Sequence, residues 1–63
     1  MKPIEIAVRV GSKVYSGVYI VEDEMVRVAY RGKSKAALAG HSPPETTASM
    51  LLKELVRQSR HQA

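Results

Sequence analysis

The sequence predicts an α+β fold: an antiparallel three- or four-stranded β-meander with one C-terminal α-helix packed on one face, βββα or ββββα. Three observations carry this. Valine and isoleucine total eleven, ten of them before residue 29, whereas all four leucines come later; β-branched residues favour strands and leucine favours helices. Two separate turn signals in the first half give one consistent strand register. A helix-start signal stands at Ser42-Pro43-Pro44-Glu45.

The first strand alternates, with Ile4, Ile6, Val8 and Val10 on one face and Glu5, Ala7 and Arg9 on the other. Gly11-Ser12 follows, glycine in the first central position as a type II′ hairpin requires. A two-residue loop there pairs Val10 with Lys13, Val8 with Tyr15, Ile6 with Gly17 and Ile4 with Tyr19. Opposed residues share a face, so Tyr15, Gly17, Tyr19 and Val21 join the apolar side. A second turn tipped by Asp23-Glu24 pairs Val21 with Val26, Tyr19 with Val28 and Gly17 with Tyr30, and the large apolar residues again collect on the same side.

The stretch after Tyr30 either turns at Gly32-Lys33 and returns as a short fourth strand or begins a helical turn; the strand is preferred because a meander continues with its neighbour. Ser42 as N-cap, Pro43 as first helical residue and Glu45 three positions after the serine form a capping box. Ala48, Leu51, Leu52, Leu55 and Ser59 recur at helical spacing, with Lys53, Arg57 and Arg60 opposite. The expected strands thus span about 3–10, 13–21, 25–31 and 34–39, and the helix about 43–59, with 60–63 a frayed tail. The helix would cover the face of Ile4, Ile6, Val8, Tyr19 and Val28.

Sixty-three residues make a single small domain, and a chain of this size is marginal in stability without staples or a partner. It has no cysteine, which removes disulfides and thiolate metal sites. With 44% hydrophobic and 25% charged residues the composition is that of a globular rather than a disordered chain. No apolar run is longer than five residues, so no membrane association is expected. Glu5 and Arg9 interrupt the N-terminal stretch where a secretory leader would be apolar, so a cytoplasmic location is expected.

No catalytic or metal-binding motif is complete in the sequence. Gly32-Lys33-Ser34 lacks the upstream glycine of a phosphate-binding loop, Arg27 standing in its place. His41 and His61 are far apart in sequence, with no cysteine or close carboxylate pair, so no metal or cofactor is expected. The serines have no histidine and carboxylate at readable spacing. Glu22, Asp23 and Glu24 lack the spacing of a calcium loop. The protein is expected not to be an enzyme.

The sheet face away from the helix is the candidate site. A face left to water should read polar, yet Val14, Val18 and Ile20 run along the second strand with Ala7 and Ala29 flanking them. This strip is the candidate protein interface, for a homodimer or an unidentified protein partner. The alternative is a nucleic-acid surface: ten basic against six acidic residues leave a net charge of +4, and Arg9, Arg27, Arg31, Lys33 and Lys35 could neutralise phosphates. Against it, all three tyrosines fall on the helix side, leaving no exposed aromatic for base stacking.

Two resemblances add to this reading. GKSKAALA, followed by Ala48 and LLKEL, is similar to the lysine-bearing start of the last helix in double-stranded-RNA-binding domains, which also end β-β-β-α; this implies phosphate-contacting roles for Lys33 and Lys35. The chain departs from that family in lacking its first helix and in carrying Gly40-His41-Ser42-Pro43-Pro44 inside the segment. Over nearly its whole length, the meander, GKSK, SPPE and LLKEL resemble a group of short uncharacterised bacterial proteins, which implies the architecture and no activity. The leading expectation is a small non-enzymatic binding or protein-interaction module.

Overall fold

The computed structural model describes residues 2–61, with the side chains of Arg60 and His61 outside the description. Four strands, β1 (Ile4–Val10), β2 (Lys13–Glu22), β3 (Met25–Tyr30) and β4 (Lys33–Leu38), precede one helix, α1 (Pro44–His61). The strands form one antiparallel sheet in the order β1-β2-β3-β4, so the fold is the ββββα form of the expected meander.

The first two hairpins follow from their turn residues. Gly11 takes φ of +66° and alone in its turn is left-handed, as a type II′ turn demands, and Val10 pairs with Lys13 through to Ile4 with Tyr19. Asp23 and Glu24 are both left-handed, φ 50° and 66°, which is the type I′ pattern, and Val21 pairs with Val26. The Ala39 amide donates to the Glu24 carbonyl at 2.8 Å, tying the end of β4 to this turn.

The third turn differs from the sequence reading by one residue. It is tipped by Arg31-Gly32, φ 48° and 78°, not by Gly32-Lys33, so β4 starts at Lys33 rather than near Ser34. A type I′ turn needs two left-handed residues, and arginine is a costly occupant of the first; the pattern of residue types therefore hid the true tip. Moving a two-residue turn by one position changes each pairing partner by two, so the shift alters the partners of β4 and leaves its faces as they were. Lys33, Lys35 and Ala37 lie opposite Tyr30, Val28 and Val26 on the helix side, while Ser34, Ala36 and Leu38 lie on the open side. GKSKAALA is therefore turn and strand, and the likeness to the start of a terminal RNA-binding helix is not realised here.

The helix also starts one residue later than the capping pattern suggests. The Pro43 carbonyl accepts from the Thr46 and Thr47 amides, at 3.0 and 3.4 Å, so Pro43 is the flanking residue and Pro44 the first helical one. A residue preceding proline is kept out of the α region, which bars Pro43 from the helix and leaves Ser42 one position outside the cap. Glu45 still lies in the first turn, where the helix dipole favours an acid. The helix runs on to His61, past the expected end near 59; residues 62–63 of the expected tail lie outside the described residues.

Eighteen residues make a helix roughly 27 Å long, and it touches all four strands. The core joins Ile6, Val8, Tyr19, Val26, Val28 and Tyr30 of the sheet to Ala48, Leu51, Leu52, Leu55 and Val56 of the helix. Val56, outside the leucine spacing, is fully buried. Tyr15 packs against the cluster, its ring edge-on to Tyr30 with centroids 6.4 Å apart. Ile4 is on the correct face but 49% exposed. It opens an edge strand, and one helix about 10 Å wide cannot reach every corner of a four-stranded sheet.

Candidate functional site

The face opposite the helix gathers the expected interface residues. Along β2, Val14, Ser16, Val18 and Ile20 point outward. On β1, Ala7 stands beside Ser16 and Arg9 beside Val14; on β3, Ala29 stands beside Val18 and Arg27 beside Ile20. All five residues of the anticipated strip, Ala7, Val14, Val18, Ile20 and Ala29, thus share one surface.

The fourth strand enlarges it. Ala36 lies next to Arg27, and Leu38 next to Met25, on the same open side. Val14, Met25 and Leu38 are 61%, 38% and 66% exposed, large apolar side chains with nothing in the fold to cover them. The strip expected from the sequence does not include Met25, Ala36 and Leu38, although a turn at Gly32-Lys33 would also have put Ala36 and Leu38 on the open side, opposite Ala29 and Arg27. The alternation of Ser34, Ala36 and Leu38 against Lys33, Lys35 and Ala37 was the available signal.

The polar content of this face is balanced. Glu5 and Glu22 are its acids and Arg9 and Arg27 its bases, so the whole of the formal +4 charge lies elsewhere. A shallow depression between β1 and β2 is lined by Glu5, Ile6, Ala7, Ser16, Gly17 and Val18, and on the open side Ala7 and Ser16 are its small side chains. Glu5 and Ser16 are its polar side chains, and without a basic or imidazole partner they form no nucleophile–base pair.

The five residues of the basic alternative do not share a face. Arg9 and Arg27 are on the open side. Arg31 occupies the third turn with its guanidinium carbon 5.6 Å from the centre of the Tyr30 ring, a cation–π contact. Lys33 and Lys35 are half-buried on the helix side, and the Lys35 Nζ pairs with the Glu54 carboxylate at 2.9 Å. A second groove, at the end of the sheet bearing the first and third turns, is lined by Lys13, Val14, Tyr15, Tyr30, Arg31 and Ser59.

Among the described residues no group of three or more His, Cys, Asp or Glu side chains is placed to hold a metal ion. None of the described helices is long and apolar enough to cross a membrane. No family model, curated protein or solved structure matches the chain.

Proposed function

We propose that this protein is a small non-enzymatic interaction module, acting in the cytoplasm, whose open sheet face pairs with a second copy of the chain. The observation that carries the reading is the set of apolar residues Val18, Ile20, Ala29, Ala36, Met25 and Leu38 around Arg27, with Val14 beyond Ser16, on the side the single helix leaves bare. A 63-residue domain gains most from enlarging its core, and a symmetric partner does this without any other component.

Size supports the pairing. Four strands about 4.8 Å apart and 6–10 residues long present a face whose flat projection is roughly 400–600 Å². Side-chain relief raises the accessible area above that, towards the roughly 800 Å² per partner of a stable interface. Charge supports it as well, because a face with equal numbers of acids and bases repels neither a copy of itself nor a neutral protein.

Val18→Lys tests this reading. It should leave the secondary structure unchanged and weaken self-association, so that the thermal midpoint rises with concentration in the wild type and not in the variant. A wild-type midpoint independent of concentration would count against the pairing.

Nucleic-acid contact is the second reading, and the groove at the basic end favours it by placing Lys13 and Arg31 beside Tyr15 and Tyr30. Arg9, Lys13 and Arg31 could then follow a phosphate backbone, and the log–log salt slope on duplex DNA would be about −2.7 for three contacts. Fluorescence anisotropy at low salt with duplex DNA, duplex RNA and single strands decides it; no binding to any of them removes the reading.

A further inference from the structure

The open face is electrically neutral as a whole but polar along its strands. At one end the β2–β3 turn carries Glu22, Asp23 and Glu24; at the other stand Arg9, Lys13 and Arg31, with no acid between residues 9 and 16 or 29 and 35. Two of the tips hold these charges at conformational cost. Glu24 and Arg31 are left-handed, φ 66° and 48°, where glycine or asparagine would sit with less strain. Turn geometry alone does not call for glutamate and arginine there, so it is their charge that distinguishes the two ends.

A two-fold axis relating two identical faces must lie in the plane between them. If the axis runs along the strands, the acidic turns of both copies meet at one end and the basic turns at the other. If it runs across the strands, each acidic end meets a basic end, twice by symmetry. Like charges brought together disfavour the first arrangement and opposite charges favour the second.

We infer that the two copies stack face to face with antiparallel strands, the Glu22-Asp23-Glu24 turn of each lying over the Arg9–Lys13 end of the other. This orientation rests on the face-to-face pairing proposed above. Glu22 and Arg9 are both exposed, both on the open side and at opposite ends of it, so they are the pair that the stack brings together.

The test is charge exchange read by sedimentation equilibrium, with circular dichroism to confirm folding. Glu22→Arg and Arg9→Glu should each raise the dimer dissociation constant roughly tenfold, since each strikes two symmetric contacts, and the double variant should return to near the wild-type value. Raising salt should weaken the wild-type dimer, because screening removes the attraction between unlike ends. A wild-type dimer that tightens with salt, or single variants whose double is not restored, overturns the orientation and leaves the pairing standing. A wild type that is monomeric throughout overturns both.

Discussion

Gly17 leaves room for the Leu52 side chain on the helix side of β2. A Cβ on Gly17 would lie 3.0 Å from the Leu52 Cδ1 and 2.9 Å from the Ala29 carbonyl oxygen. The second of these is backbone, held in the β2–β3 pairing, and cannot swing aside as a side-chain tip can. Gly17 therefore serves packing rather than a turn: it is a mid-strand residue, opposite Ile6, where glycine ordinarily weakens a strand.

Gly17→Ala should accordingly destabilise the protein by about 1–3 kcal/mol, the range for overpacking a closed core, despite alanine's usual advantage over glycine. Urea denaturation checks this. A midpoint equal to or above the wild type would show that the helix can lift off the sheet at no cost.

Leu52→Ala should cost about 2–5 kcal/mol, since Leu52 is fully buried at the centre of the contact. In a domain of this size that loss can remove the folded state altogether. Met50→Ala, at a position 62% exposed, should change stability by less than about 0.5 kcal/mol. Comparable losses at the two positions would misplace the buried face of α1.

Ser42→Ala should have a small effect, below about 0.5 kcal/mol, because Pro43 rather than Ser42 flanks the first helical residue. A loss of 1 kcal/mol or more, roughly that of a true N-cap, would restore the serine to the capping position.

The Lys35–Glu54 pair is a third to a half exposed. A double-mutant cycle with alanine at both positions should yield a coupling of about 0–1 kcal/mol that shrinks with added salt. A larger, salt-insensitive coupling would mean that the pair clamps β4 to the helix more firmly than its exposure allows.

The meander could be read from the sequence where the turn residues state their own geometry. Gly11-Ser12 does so; Asp23-Glu24 is acidic and less diagnostic, and there the alternating valines and tyrosines on either side fix the register, which places Val14, Val18 and Ile20 on the open face. At Arg31-Gly32 the left-handed arginine broke the correspondence between residue type and backbone, and the slip changed the partners of β4 but not its faces; the basic cluster is dispersed because strand alternation carries Lys33 and Lys35 to the helix side. The Pro43-Pro44 step had the same effect at the helix start, since a constraint passed from one proline to its predecessor outweighed the cap pattern around it. What the open face binds is a matter of tertiary and quaternary packing, and neither periodicity nor turn chemistry encodes it.

Sedimentation equilibrium of the wild-type chain is the direct test of pairing through the open sheet face. Up to about 500 μM, the apparent mass should rise from 6.9 kDa towards twice that value, and Val18→Lys should hold it near 6.9 kDa. A wild-type mass that stays at 6.9 kDa over the whole range would contradict pairing through the open sheet face.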